Sequence, residues 1–160
     1  MALKLIELFS QDLELLKTIR IPILMYSSMK NKKDKETGKK IKYKSETMCS
    51  INNWATIHWS AKSELKNKYK SLLSEWFISS DKIPEDCFFV WQPVYTDKRK
   101  RDSLNQASVA KIIEDTFVQE GALEDDDKTN HILLSGKINT QAKEHMLEVR
   151  IFGECLNKIK

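Results

Sequence analysis

The stretch from Gln106 to Glu120 limits the choice of fold more than any other part of the chain. Val109, Ile112, Ile113, Thr116 and Phe117 recur at i, i+3, i+4, i+7 and i+8, so one side of a helix is apolar and must be covered by a second layer. Gly121 supplies the expected C-terminal stop. A second helix is predicted over Ser60–Phe77, where Leu65, Tyr69, Leu72, Leu73 and Trp76 fall at helical spacing and Lys62, Lys66, Lys68 and Lys70 give a basic outer surface. The covering layer comes from β-rich segments. Thr18–Ser28 reads as a strand with Pro22 marking an edge, and Cys87–Thr96 as a buried strand. Ile132–Ile138 and Met146–Phe152 read as a closing antiparallel pair. Residues 3–16 fit a short helix or another strand. The layout predicted is α+β: one domain over residues 1–160, a mixed sheet packed by two main helices.

A chain of 160 residues and 18.7 kDa is large enough to build one core without disulfides or a structural metal, so any metal would be present for chemistry. Cys49, Cys87 and Cys155 are odd in number and lack metal-site spacing, which fits reduced thiols in a cytosol. Lys4, Glu7, Gln11, Asp12 and Glu14 interrupt the apolar N-terminal residues, and no run of 18 apolar residues occurs; a soluble cytoplasmic protein without membrane attachment is expected. Trp54, Trp59 and Trp91 are expected in the core, and His58 and His131 in structural or supporting roles.

Charge is distributed unevenly. The net charge is +4, yet residues 121–132 read GALEDDDKTNHI, with Glu124, Asp125, Asp126 and Asp127 in succession. Such a cluster needs a counter-charge, either a cation or a neighbouring basic segment. Residues 29–46, MKNKKDKETGKKIKYKSE, form a basic segment expected as a mobile loop or a long hairpin, and Lys98–Arg101 form a second basic block just before Asp102. Carboxylates near lysine and arginine suit Mg²⁺-assisted phosphodiester cleavage, because this hard cation takes one or two carboxylates with water, and cations hold the DNA backbone. Taken alone, an Asp-rich turn is an ordinary solvated turn, and Lys111 with Asp115 an ordinary i,i+4 pair.

Spacing adds specificity. The order RDxxN at Arg101–Asn105, then Lys111, Asp115, Gly121, the acidic run and His131 resembles the conserved block of RusA-type Holliday junction endonucleases, in the variant with RDxxN in place of RDxDN. Ser50–Leu73, SINNWATIHWSAKSELKNKYKSLL, is similar to the family segment in which a Ser-x-Asn stretch leads into a basic helix. The two blocks together cover about one third of the chain. The resemblance implies a small α+β homodimer that binds branched, four-way DNA and uses Mg²⁺, with Mn²⁺ able to substitute, to make paired symmetric nicks, with no small-molecule cofactor. It places catalysis on Asp102, Asp126 and Lys111, the metal on Asp102, Asp125 and Asp126, and DNA contacts on Lys98, Arg99, Lys100, Arg101, Asn105 and Lys111. Resolvases of this kind are often encoded by phages or prophages. Leu104 stands where RDxDN members carry a second Asp and cannot bind a metal, so either Asp125 or a carboxylate of a partner compensates, or the site is weaker, or the chain is a binding protein of the same fold that does not cut.

Geometry adds a constraint. A helix of about 14 residues rises roughly 20 Å, so Asp102 and Asp126 start from its opposite ends. They meet only if the chain after Gly121 runs back along the helix or if two copies pair across a two-fold axis.

Overall fold

The computed structural model describes residues 13–78, 82–84, 87–99, 101–127 and 129–154, with the side chains of residues 75–78, 103 and 154 excluded. In chain order the elements are β1 (Leu13–Pro22), β2 (Met25–Lys33), β3 (Lys40–Met48), α1 (Ile51–Trp54), α2 (Trp59–Ile78), β4 (Phe88–Tyr95), a 3₁₀ turn (Ser103–Gln106), α3 (Ala107–Gln119), β5 (Asn130–Leu133), β6 (Lys137–Ile138) and β7 (Met146–Glu154). The expected α+β class and both main helices are present. Lys100, Cys155 and the segment before Leu13 lie outside the described residues, as does the side chain of Trp76.

β4 organises the larger sheet. Phe89, Trp91 and Tyr95 alternate along its inner face and are buried, so this face needs a helical layer over it. Its two edges also need partners, because buried backbone N–H and C=O groups must be paired. β7 runs antiparallel along one edge, while β5 and then β6 run parallel along the other. β1 adds to the far side of β7, giving the order β1-β7-β4-β5 with Pro22 at the end of an edge strand, as expected.

This corrects one expectation: the last strands do not pair with each other. β4, which the sequence marks as the most apolar strand, separates them by taking one on each side.

The helical layer follows the apolar spacing. Val109, Ile112, Ile113 and Phe117 of α3 and Leu65, Tyr69 and Leu73 of α2 are at most 2% exposed and join the inner residues of β1, β4 and β7 in one core. The Phe89 and Phe117 rings stack at 5.9 Å between centroids. Leu72, expected on the buried face of α2, is largely exposed. Trp54 is half-buried and Trp91 buried, but Trp59 is 72% exposed, because it opens α2 ahead of the face that meets the core. His58 supports that helix start: its Nδ1 accepts from Ser60 N at 3.3 Å and lies 2.8 Å from Ser60 Oγ.

The basic segment 29–46, expected as a mobile loop or a long hairpin, is the hairpin. β2 and β3 pair antiparallel without a register shift from Met25↔Met48 to Lys33↔Lys40. The Asp34 carboxylate closes the turn by accepting from Glu36 N, Thr37 N and Thr37 Oγ1, and Gly38 takes the left-handed conformation that a side chain disfavours. Lysine does not signal strand by hydropathy, so the apolar alternation that marks other strands is missing here.

A two-stranded hairpin is marginal by itself, and this one is held at its base. Leu24, Tyr26 and Met48 pack on the core, and Tyr69, with no exposed surface, accepts a hydrogen bond from Leu24 N at 3.0 Å where the chain leaves β1. Among the described residues no helix is long and apolar enough to cross a membrane.

Tyr69→Phe keeps the ring and leaves the Leu24 N–H without its acceptor, so it should cost about 1–3 kcal/mol. Urea unfolding should show a lower midpoint with an unchanged slope. An unaltered midpoint would mean that the hydroxyl does not anchor the hairpin.

Candidate nucleic-acid interface

The RDxxN block begins where β4 ends, and one aspartate shapes it. Asp97 accepts from Arg99 N at 3.1 Å and takes both guanidinium arms of Arg101, Nη1 at 2.5 Å and Nη2 at 2.9 Å. The hydrogen-bonded Arg101 holds the Asp97 carboxyl well below the usual carboxylate range. Arg101 also lies over the Tyr95 ring at 4.4 Å, and its side chain is largely covered. His145 completes the clamp: Nδ1 accepts from Thr96 N at 3.0 Å, and Nε2 is 3.7 Å from Asp97. Burial, followed by the Arg101 charge, lowers the His145 pKa. The planar Arg101 fork is therefore built into the turn, which leaves Lys98 and Arg99 as the exposed cations of this block among the described residues.

Asp102 and Asn105 take local roles that also point outward. Asp102 Oδ1 caps the 3₁₀ turn by accepting from Leu104 N at 2.9 Å. Leu104 is 57% exposed. Asn105 Oδ1 accepts from Asn52 Nδ2 at 3.1 Å, joining residues 53 positions apart. An amide whose oxygen is occupied still has its N–H groups to donate. Asn53 holds the other side of this joint, accepting from Ser50 N at 2.9 Å and donating to Met48 O at 2.9 Å. Between this joint and the hairpin base lies an open groove of about 520 Å³ lined in part by Lys30, Thr47, Arg99, Arg101, Asn105 and Gln106. Gln106 is 1% exposed, with Nε2 3.4 Å from Met48 Sδ and Oε1 unpartnered.

The acidic run has a counter-charge within the chain. Lys111 Nζ is hydrogen-bonded to Asp126, 3.1 Å from Asp115 and 3.6 Å from Glu114. That contact holds the Asp126 carboxyl below its ordinary range and raises the Lys111 pKa. Asp126 reaches the second turn of α3 because the chain runs back from Gly121, but this brings it to Lys111 and not to Asp102. Asp125 is exposed and accepts from Asp126 N at 2.7 Å.

Behind Lys111 a chain of polar groups runs from the buried Glu114 to the exposed His131. Glu114, 6% exposed at its side chain, meets His131 Nε2 at 2.7 Å and accepts from Thr129 Oγ1 at 2.6 Å. Trp91 Nε1 donates to His131 Nδ1 at 2.9 Å; an indole N–H only donates, so Nδ1 accepts and the ring proton sits on Nε2, facing Glu114. Burial pushes the Glu114 carboxyl up, but the hydrogen bonds from His131 and Thr129, with the Lys111 charge, outweigh it and leave the group below its usual range. His131 thus has the supporting role expected of it. Its partners Trp91 and Glu114 are not deducible from spacing.

The expected metal ligands fit a hard dication only in part. Asp102, Asp125 and Asp126 carry suitable oxygens, but Asp126 is paired with Lys111 and Asp102 caps a turn at most roughly 15 Å of helical rise from Lys111. Among the described residues no three His, Cys, Asp or Glu side chains are gathered so as to hold a metal ion. Lys111, expected beside a phosphate, is occupied by carboxylates. No family model matches the chain, and no curated protein matches it.

The lowered pKa of Glu114 fixes the sign of a pH effect. Its stabilisation is complete above the ordinary glutamate pKa of about 4.3 and is lost as pH falls through the lower folded-state value. Urea midpoints measured from pH 6 to pH 3 should therefore fall less steeply in Glu114→Gln than in the parent. Identical slopes would remove Glu114 from the acid-sensitive set.

Proposed function

We propose that the chain is a structure-selective, Mg²⁺-dependent endodeoxyribonuclease of the RusA type that acts as a homodimer on four-way DNA junctions in the cytoplasm. The observation that carries this reading is the Asn52–Asn105 hydrogen bond. The two segments that resemble the family, Ser-x-Asn before the basic helix and RDxxN after β4, are far apart in sequence and meet at these side chains.

The chain's own residues have separable tasks in this reading. Lys98 and Arg99 meet the phosphate backbone from an exposed turn whose shape Asp97 and Arg101 maintain. Asn105 donates from the groove wall, oriented by Asn52. Lys111 holds Asp126 against α3 and limits the negative charge that an incoming phosphate would meet. Asp102, with Asp125 or Asp126 of the same chain or of a second copy, would hold the metal, which when bound supplies activation of water and charge neutralisation at the scissile phosphate. A two-fold dimer would present two such sites to the opposing strands of a junction.

A second reading, a junction-binding protein that does not cut, is favoured by Leu104 in the motif and by the Lys111–Asp126 pair. Incubating a synthetic four-way junction with the protein and either Mg²⁺ or EDTA separates the two. Paired nicks that require Mg²⁺ support the nuclease, and a retarded but intact junction supports the binding protein. For the nuclease, Asp102→Asn and Asp126→Asn should each lower the nicking rate by roughly 100-fold or more while leaving junction binding intact. Recovery of nicking when the two variants are mixed would place the acids on different chains. Cutting at the parental rate by either variant would remove that residue from the catalytic set.

A further inference from the structure

The β2–β3 hairpin accounts for the net positive charge of the protein. Residues 25–48 hold eight lysines against three acids, net +5, whereas the full chain is +4, so everything outside the hairpin sums to −1. All eight lysines are exposed, and none is ion-paired among the described residues. The other lysine-rich surface, on α2, is different. Lys66 pairs with Asp115, Lys68 with Glu64 and Lys70 with Glu120, and Lys62 lies over the Trp54 ring. The basic face of α2 is thus largely neutralised within the fold, and the hairpin is not.

The register makes the imbalance costly to the protein alone. Lys33 stands directly opposite Lys40, a like-charge cross-strand pair that destabilises a ribbon. Lys40, Lys42 and Lys44 continue along the same face at intervals of about 7 Å, whereas Lys30 and Lys32 lie on the opposite face across from Tyr43 and Ile41. The ribbon is therefore basic on both faces. Past its anchored base at Tyr26 and Met48, its strands extend roughly 20 Å.

We infer that this hairpin is a DNA-gripping arm that inserts into a groove of a duplex and meets phosphates on both sides. A flat anionic surface would engage one face of the ribbon and leave the other unpaired, whereas the B-DNA major groove admits a two-stranded ribbon between two rows of phosphate. The inference rests on the reading of the chain as a protein that binds DNA. It adds an element separate from the RDxxN block: the arm holds a duplex branch, while the Arg99–Asn105 segment faces the strand to be cut.

The test uses the full chain and a fluorescently labelled four-way junction, with affinity measured by anisotropy across a KCl series. Replacing Lys33, Lys40, Lys42 and Lys44 by Ala should weaken binding at least tenfold and reduce the slope of log K against log salt by about 3. Removing the same number of lysines from α2, as Lys62→Ala, Lys66→Ala, Lys68→Ala and Lys70→Ala together, should leave the slope near the parental value. Thermal unfolding monitors the fold, and the arm variant should melt no earlier than the parent, because the Lys33–Lys40 repulsion is gone. Equal slope changes in the two variants, or none in the arm variant, would overturn the arm, even if the parent nicks junctions. Lysine-dependent binding without any nicking would keep the arm and discard the nuclease. If the parent binds vesicles of 30% phosphatidylserine but no DNA, the partner assigned to the arm is wrong.

Discussion

β4 has more requirements to satisfy than any other element, and the remaining structure is arranged to meet them. Its inner side chains need a helical layer, and its two backbone edges need a strand each. α3 supplies much of the cover through Phe117 and its neighbours, and β7 on one side with β5 and β6 on the other complete the hydrogen bonding. The RDxxN segment leaves the C-terminal end of β4 and feeds α3, while β5 brings His131 alongside Phe89 and Trp91. The candidate site is thus mounted on the most firmly buried strand, where small displacements meet the most resistance.

Periodicity in the sequence made both helices and β4 readable, because each has a face that is apolar at the correct interval. Residues 29–46 left a mobile loop and a long hairpin both open, because their alternation is between lysine and mixed residues; backbone pairing and an Asp34 turn build the hairpin. Which strands become neighbours was hidden for a different reason. Pairing order is settled by what β4 can bury on each side, a property of the assembled sheet that no local window contains. Trp59 was misplaced because a large aromatic favours burial on average, whereas its position at the first residue of α2 turns it to solvent.

At the site, local pairs were visible and distant ones were not. Lys111 with Asp115 follows from helical spacing, and Asp97 with Arg101 has a comparably short separation. Lys111 with Asp126, Asn52 with Asn105, and the line from Trp91 through His131 to Glu114 all depend on the tertiary fold. The acidic run illustrates the difference. Its demand for a counter-charge is evident from the sequence, but the structure meets part of that demand with an ammonium already in the chain. Carboxylates held in this way are pre-positioned, and a divalent ion arriving at Asp126 would have to displace Lys111 or share the carboxylate with it.

The hairpin is a separate two-stranded sheet, so the outer rim of each of its strands carries backbone donors and acceptors with no strand beside them among the described residues. Bare rims of this kind invite copies of a protein to zip together, and closely spaced ammonium groups are a common deterrent. Here the same lysines provide that deterrent. Any polyanion that cancels their charge without covering the rims would remove it.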